Sequence, residues 1–453
     1  MRLRALYLAA LLSAPLAAWA APELAKLPPP PAAASGASGS IDPEAATRAY
    51  LDTLPAAERA RSDAYTEGGY WLLLLDFLWG AGVWLLLLST GLSARMRDRA
   101  ERWVRWKPLR TTAYWLQLAV AVALLRLPLD VYQDFFREHR YGLSNLTLGG
   151  WLGEQAKGLL LALVLGAVAA TALYAVVRRL PRTWWIWGTA VAVAFSAFVA
   201  LIVPVAIVPL FNTPRPLADA RVVKPILSLA RANGISTGEV WEVDASKQTK
   251  RVSANVSGFL GTERITLNDN LLNRCSLPEI ESAMGHEMGH YVLDHVYWLL
   301  LVLALVIAAG FALVSFFFER LRARWQARWQ IRDIGDTAGL PLVALLFSTW
   351  LFAVTPFLNS AVRAAESEAD LFGLNAARQP DGFARISLKL AEYRKLEPSR
   401  LEEILLYDHP SGRSRILAAM RWKAEHPETW VGATAAAPGG SGPAGDASRP
   451  PGP

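Results

Sequence analysis

The chain has 453 residues, of which 53% are hydrophobic, and it carries a formal net charge of +7. This composition is too apolar for an ordinary soluble protein and indicates several membrane spans. The single cysteine, Cys275, excludes an internal disulfide bond and a zinc site built from cysteines. The basic residues cluster beside apolar runs, which is typical of membrane-orientation signals and does not favour nucleic acid as a partner.

The N-terminal region predicts an export signal followed by a linker. Residues 1–20 have the basic start, apolar run and A-x-A pattern of a signal peptide, with the cleavage pattern at 18–20. An uncleaved anchor helix is the alternative. Residues 21–68 are predicted to form a tether and extramembrane segment, because 21–45 is rich in Pro, Ala and Ser and has no helical or strand period.

Six apolar runs follow, and each approaches or exceeds the roughly 20 residues needed to cross a bilayer. They cover 70–92, 112–132, 158–177, 184–210, 296–318 and 340–358, and the first four form a predicted N-terminal membrane domain over 69–210. Asp76, Gln117 and Arg126 lie inside or near the ends of spans. Because such groups are unfavourable against lipid, we expect them to face a wet interior or to pair with each other.

A water-soluble segment, 211–294, is predicted between the fourth and fifth runs. Residues 222–232 have helical spacing. Three short alternating stretches predict strands: 239–243, 253–259 and 263–268. The middle strand contains Asn255 and is a candidate edge strand, to which a peptide substrate could add by main-chain hydrogen bonds. A strand paired on both sides is the alternative.

The chemical signature is H-E-x-x-H at His286, Glu287 and His290. On a helix, positions i and i+4 lie on one face, so both imidazoles can bind one zinc ion. Glu287 can then hold the attacking water as general base. The alternative is a surface helix that carries two histidines by chance.

The helix that carries the motif is predicted to begin at a capping box, Ser276 with Glu279, and to run unbroken from 280 through 295. Gly285 and Gly289 lie on nearly one face of it. An interior glycine destabilises a helix by about 1 kcal/mol relative to alanine, so this pair predicts a close approach of another backbone or of a substrate.

A catalytic zinc ion needs three protein ligands and an open position. Glu366 and Asp370 lie one helical turn apart after the sixth run, so one can bind the metal while the other orients a ligating histidine. The alternative is a solvated acidic face, which is the expectation for Glu368. Residues 431–453 are predicted to be a disordered tail, because they are almost entirely Ala, Pro, Gly and Ser.

At these residues the chain resembles the M48 metallopeptidases, and specifically their integral-membrane CAAX prenyl protease (Ste24) branch. Three motifs carry the resemblance: H-E-x-G-H-x-x-x-x-H from His286 to His295, R-x-x-E-x-x-A-D from Arg363 to Asp370, and H-P-x-x-x-x-R-I from His409 to Ile416. The stretch 127–142 and the P-L-F-N at 209–212 resemble the family's membrane part. Two departures stand out. Val362 replaces a usual serine, and the predicted signal and tether take the place of the family's first span, which leaves six spans and not seven.

The resemblance implies one Zn²⁺ per chain, held by His286, His290 and Glu366, with Glu287 as base and Asp370 behind a ligand. It places Asn255, His409 and Arg415 near the substrate, where His409 or Arg415 would stabilise the oxyanion. It implies a mainly α, polytopic fold in which a ring of membrane helices surrounds a water-filled chamber. A zincin-like α+β metalloprotease domain would be inserted between the fourth and fifth spans. The metallopeptidase domain as a whole is predicted over 211–430 and includes the last two spans.

We therefore expect a zinc-dependent membrane metalloendopeptidase of the Ste24 type, whose partners are a peptide or protein substrate and the lipid bilayer. A quality-control protease for misfolded membrane proteins is the alternative within the class. A catalytically idle membrane scaffold is the alternative outside it, which the retained Glu287 and the third carboxylate disfavour. Nothing in the sequence names the substrate.

Charge patterning predicts the orientation in the membrane. Lys and Arg number seven in 93–111, three in 178–182 and five in 320–332, but only three in 133–157. Basic loops mark the cytoplasmic side. With an export signal at the N-terminus, the pattern predicts a bacterial inner-membrane protein whose 211–294 segment and residues after 358 lie on the periplasmic side.

Overall fold

A computed structural model describes residues 29–34, 41–258 and 263–427 of the chain. The predicted signal peptide and C-terminal tail lie outside the described residues. Within them the fold is mainly helical, and six helices are long and apolar enough to cross a membrane, as the sequence predicts. These candidate spans are Ala56–Ser89, Lys107–Arg140, Leu148–Arg179, Trp184–Phe211, His295–Trp329 and Thr337–Ala377.

The helices and the strands are each numbered in chain order. The helices are α1 (Pro43–Asp52), α2 (Ala56–Ser89), α3 (Leu92–Trp103), α4 (Lys107–Val131), α5 (Leu148–Arg179), α6 (Trp184–Ile202), α7 (Ala220–Ala232), α8 (Asp269–Arg274), α9 (Leu277–Val292), α10 (His295–Trp329), α11 (Leu340–Ala377), α12 (Pro380–Lys389), α13 (Arg400–Leu406) and α14 (Gly412–Glu425). The strands are β1 (Pro214–Pro216), β2 (Val240–Val243), β3 (Ala254–Ser257) and β4 (Arg264–Asn268). Wider π-helical turns, Tyr132–Arg137 and Val203–Ile207, extend α4 and α6.

The membrane helices pack through apolar faces and leave other apolar side chains exposed, as a lipid-facing surface requires. Trp184 of α6 packs against Phe311 of α10 in one such core. Arg126 donates to Asp76, so these two groups pair with each other as predicted. The Gln117 amide instead donates to the Met96 backbone carbonyl at 3.1 Å.

The basic loops meet at one end of the helix bundle. Arg97 forms a buried ion pair with Asp336 at 2.5 Å, and Arg332 contacts Glu101 at 2.7 Å. Arg178, at the end of α5, donates to Thr111 at 3.0 Å. The loops after the first, third and fifth spans thus share one end, which we call the basic end. The sheet, α9 and the C-terminal helices lie at the other end.

The sheet has the order β1-β2-β4-β3. Strand β3 pairs antiparallel with β4, so that Asn255 lies opposite Thr266. Within the described residues β3 has this one neighbour, which confirms the predicted edge strand. Strand β1 was not predicted, because its sequence is Pro-Arg-Pro and proline is tolerated in sheets only at edges. It pairs antiparallel with β2 at the opposite edge.

Helix α9 begins as predicted and ends early. Ser276 and Glu279 form the capping box, and the Ser276 amide donates to the Glu279 carboxylate at 2.6 Å. The predicted unbroken helix through His295 is wrong. Asp294 has a φ of 56°, in the left-handed region, so the chain turns there before α10 begins at His295.

Residues 29–34 and 41–54, which we call the N-terminal strap, pack against the C-terminal helices. Tyr50 and Leu51 are almost fully buried in a core that also contains Phe383 of α12 and Trp422 of α14. Where the sequence predicts a flexible tether over 21–45, the described part differs. Ala34 and Ile41 are buried in the same core as the C-terminal helices, an arrangement that composition alone does not reveal.

Candidate metal centre

The centre lies where α9 packs against α11, and glycines set how closely these helices approach. A Cβ at Gly289 would lie 3.1 Å from the Ala369 Cα. A Cβ at Gly373 would lie 2.7 Å from the His286 backbone nitrogen, closer than real Cβ atoms come. The close backbone approach predicted for Gly285 and Gly289 is confirmed, and it brings Glu366 of α11 to the histidines of α9.

His286, His290 and Glu366 each offer one ligand atom, and the three atoms lie within 4.8 Å of one another. The two histidine Nε2 atoms are 3.1 Å apart. The Glu366 carboxylate lies 3.2 Å from His286 Nε2 and 3.3 Å from His290 Nε2. Glu366 Oε2 is buried and has no hydrogen bond within the described residues. Two imidazoles and a carboxylate around such an orphaned atom fit a bound divalent cation.

Asp370 holds the ring of His286 from behind. Its Oδ1 lies 2.8 Å from His286 Nδ1, and Arg415 donates to the same carboxylate. Burial lowers the pKa of His286, but the neighbouring carboxylates of Asp370 and Glu366 outweigh it and raise the pKa to about 10. The site therefore attracts positive charge to the place where a cation would bind.

Glu287 lines a cavity of about 60 Å³ beside the candidate ligands. Ala254 of β3, Phe383 of α12 and Arg415 of α14 also line it. Burial raises the pKa of Glu287 to about 7, although the neighbouring His286 opposes the shift. A carboxylate with a pKa near neutrality suits a general base, because it can both take up and release a proton at physiological pH.

His409 approaches the ligands from the loop between α13 and α14. Its Nε2 lies 3.3 Å from Glu366 and has no hydrogen bond within the described part of the chain, while its Nδ1 lies 2.7 Å from Asp408. Burial and Arg394 lower the pKa of His409, but Glu366 and Asp408 outweigh them and raise it. These acids therefore favour the charged form of the imidazole, in which Nε2–H can donate to an oxyanion.

The structure gives Arg415 a second task beside the one the sequence suggests. It lines the Glu287 cavity, and its buried Nε has no hydrogen bond among the described residues. Its Nη2 donates to Asp370 and lies 3.4 Å from His286 Nδ1. Arg415 thus fixes the carboxylate that orients His286, and its free Nε–H remains available to a ligand.

Asn255 lies on edge strand β3, which packs against α9. Its Oδ1 is buried and has no hydrogen bond within the described residues. An orphaned amide oxygen beside a strand edge is what a docked main chain would satisfy.

Three supporting residues were not assigned roles from the sequence. Arg363 donates to the Glu403 carbonyl at 2.8 Å and to the Tyr407 carbonyl, so it fixes the turn before His409. Asp408 and Arg394 flank the His409 ring. The signals available were that Arg363 opens the R-x-x-E motif and that Asp408 directly precedes His409.

Comparison with known proteins follows the same division of the chain. A family profile described as CAAX prenyl protease N-terminal, five membrane helices, matches residues 44–213, and one described as Peptidase family M48 matches residues 216–423. Four of the six candidate spans lie within the first match.

The chain is 32% identical to the uncharacterized metalloprotease YhfN of Bacillus subtilis over 349 residues, which cover 75% of this chain and 82% of YhfN. It is 26% identical to CAAX prenyl protease 1 of Saccharomyces cerevisiae over 65% of this chain and 68% of that protein. The crystal structure of S. mikatae Ste24p superposes with a TM-score of 0.71 at 19% identity, covering 92% of this chain and 96% of that one, and so has the same fold. The chain therefore belongs to peptidase family M48, as a Ste24-like integral membrane metallopeptidase.

Proposed function

We propose that this protein is a zinc-dependent endopeptidase whose single Zn²⁺ would be held by His286, His290 and Glu366. The observation that carries the proposal is the convergence of their three ligand atoms within 4.8 Å, beside the glutamate of H-E-x-x-H. Two histidines and one carboxylate form a ligand set that zinc peptidases use, and it leaves a position for water. Bound zinc would polarise the scissile carbonyl and make a water molecule more acidic.

The protein groups divide the remaining work. Glu287 takes a proton from the attacking water and returns it to the leaving nitrogen. His409, whose pKa Glu366 and Asp408 raise, donates to the oxyanion. Arg415 and Asp370 keep His286 oriented. Strand β3 offers an edge next to Glu287, so a substrate in extended conformation can pair with it around Asn255.

The substrate we propose is a peptide or protein segment that reaches the centre at the membrane surface. The likeness to CAAX prenyl protease 1 of yeast supports CAAX-type processing as the first activity to test. The alternative of a quality-control protease uses the same catalytic groups. An idle scaffold is disfavoured because Glu287 and His409 are both in place around the candidate ligands.

For location we propose a bacterial inner membrane with the metal centre on the periplasmic side. The N-terminal strap, which precedes the first span, packs on α12 and α14, which follow the sixth. Six spans bring the C-terminal helices back to the side of the membrane where the strap lies. The even number of spans therefore agrees with this contact and supports a centre on that side. The basic end lies opposite, as the charge rule requires of a cytoplasmic face.

The experiment that tests the function is the Glu287→Gln variant, purified in detergent. It should bind as much zinc as wild type and lose peptidase activity by about 10²–10⁴-fold or more, because the base is gone while the ligands remain. The matched control is Glu281→Gln on the same helix, whose carboxylate bonds Gln379 at 2.9 Å and faces away from the centre. Wild-type turnover by Glu287→Gln would refute the role of base, and proteins captured by this variant, identified by mass spectrometry, would name the substrate.

A further inference from the structure

A third histidine, His295, lies behind the candidate ligand His290 and connects it to Glu368 by hydrogen bonds. His295 Nδ1 lies 3.0 Å from His290 Nδ1, and His295 Nε2 lies 3.2 Å from the Glu368 carboxylate. The His295 side chain is only 4% exposed, whereas that of Glu368 is 68% exposed. The two rings meet edge to face, with their centroids 5.1 Å apart. These contacts connect a candidate metal ligand to solvent through one buried ring.

With both rings neutral and Glu368 ionised, the donors and acceptors of these three residues allow one proton arrangement. An ionised carboxylate only accepts, so His295 Nε2 must carry the hydrogen that points to Glu368. The Nδ1 of a neutral His295 is then an acceptor, and it receives the hydrogen on His290 Nδ1. His290 Nε2 is left with a free lone pair on the side that faces Glu366. The hydrogen bonds from His290 through His295 to Glu368 therefore select the tautomer in which His290 can bind a cation.

The break between α9 and α10 is what makes this contact. In an unbroken helix, residues five apart are rotated by about 140°, so His295 would point away from His290. The left-handed turn at Asp294 redirects the chain, and His295 becomes the first residue of α10, next to the His290 ring. The hydrogen bond between the two rings therefore depends on the backbone turn at Asp294.

We propose that His295 is a positioning residue that holds His290 in its metal-binding tautomer and orientation, with Glu368 as the outer anchor. His286 has one direct carboxylate partner, Asp370, in the corresponding place. His290 has two partners in series, the buried His295 and the exposed Glu368, so its hydrogen bonds extend to the solvent. Because water can replace an exposed carboxylate but not a buried imidazole, His295 contributes more than Glu368. The inference rests on the proposed zinc site.

The test is the zinc dissociation constant of the full-length protein, measured by competition with a chromogenic chelator. His295→Phe keeps the ring volume and removes both hydrogen bonds, and it should weaken zinc binding by about 10–100-fold. His295→Asn can place its amide oxygen near the position of Nδ1, so it should restore much of the lost affinity. Glu368→Ala should weaken binding by less than His295→Phe. His426→Phe is the control, because that ring bonds the Trp422 carbonyl in α14.

The variants separate the possible outcomes. Zinc affinity of His295→Phe within twofold of wild type overturns the inference, and so does an Asn variant that binds as weakly as the Phe variant, because packing alone would then explain the effect. If His295→Phe does not fold, His295→Leu is compared with His295→Asn, which has nearly the same shape. Weaker zinc binding by His295→Leu than by His295→Asn supports the inference, and equal binding by the two overturns it. Wild type that binds no zinc, or His286→Ala that still binds it, would instead refute the proposed zinc site.

Discussion

His286 and His290 carry the same side chain but have different surroundings. His286 bonds the Asp370 carboxylate, and the acids around it raise its pKa. His290 bonds the ring of His295, and burial lowers the pKa of His290 even though Glu366 opposes the shift. Two equivalent positions of one motif thus differ because of what stands behind each ring, which H-E-x-x-H alone does not specify.

At this scale the third ligand is open to a direct test. We expect Glu366→Ala to lose bound zinc, because it removes one of three ligands, and Glu368→Ala to keep one zinc per chain when zinc is in excess. Elemental analysis of the purified variants measures this. Glu368 is the matched control, since it lies two residues away on the same helix. Equal zinc in Glu366→Ala and wild type would require a different ligand set.

His409 is expected to act on substrate and not on the metal. His409→Ala should retain zinc and lose turnover, because it removes the donor beside Glu366 while leaving the ligands in place. Steady-state kinetics and elemental analysis on one sample separate the two roles. The same measurements on Arg415→Gln and Asn255→Ala should show impaired turnover with zinc retained. A His409→Ala variant with normal kinetics but depleted metal would make His409 a ligand.

The structure brings together the principal residues that the sequence predicts for the centre, but the sequence predicts few of the residues that support them. Local spacing is sufficient for His286, Glu287 and His290, because helix geometry places them on one face. Contacts such as Arg363 with the Tyr407 carbonyl join residues 44 apart, and only the tertiary fold brings them together. The partner of His295 could not be found either, since it depends on the turn at Asp294.

At the scale of elements, the α9–α11 contact determines whether the ligands meet. Gly285, Gly289 and Gly373 let the two backbones come close enough for Glu366 to reach both histidines. The sequence predicts that Gly285 and Gly289 are approached, but it does not identify the partner helix. The end of α9 was also wrongly predicted, because the residues around Asp294 have no proline or glycine that would signal a stop.

Gly373→Ala should therefore disturb the metal centre without touching a ligand. Its Cβ would lie 2.7 Å from the His286 nitrogen, so the helices must separate. Overpacking of this kind destabilises a protein by about 1–3 kcal/mol. We expect a lower melting temperature and weaker zinc binding. Gly158→Ala in α5 is the control, because a Cβ there meets open space, and it should preserve both properties. An unchanged Gly373→Ala protein would contradict the tight helix contact.

At the scale of the whole molecule, the chain sorts its groups to two ends of a helix bundle. The number of spans and the side shared by the basic loops could be predicted, since hydropathy and charge are local properties of a sequence. The N-terminal strap could not be predicted, because its partners are more than 300 residues away. Strand β1 was missed for a similar reason, as its prolines argue against a strand until β2 is seen beside it.

The orientation is tested with single cysteines in intact cells, probed with a membrane-impermeant thiol reagent. Cys275 is first replaced, although burial raises the pKa of its thiol to about 12 and makes it a poor nucleophile. Leu401→Cys, at an exposed position opposite the basic end, should be labelled in intact cells. Arg105→Cys, at the basic end, should be labelled only after the cells are opened. Labelling of Arg105→Cys but not Leu401→Cys in intact cells would reverse the orientation.

The N-terminal strap also has a consequence for biosynthesis. Tyr50 bonds Asp381 and Lys423 bonds the Ala34 carbonyl, across separations of 331 and 389 residues. Ribosomes add about 5–20 residues per second, so the strap waits roughly 20–80 seconds for its partners to be synthesised. The same late segment brings His409 and Arg415, which complete the centre. The centre of a nascent chain therefore stays incomplete until the C-terminal helices have been synthesised and have packed with the strap.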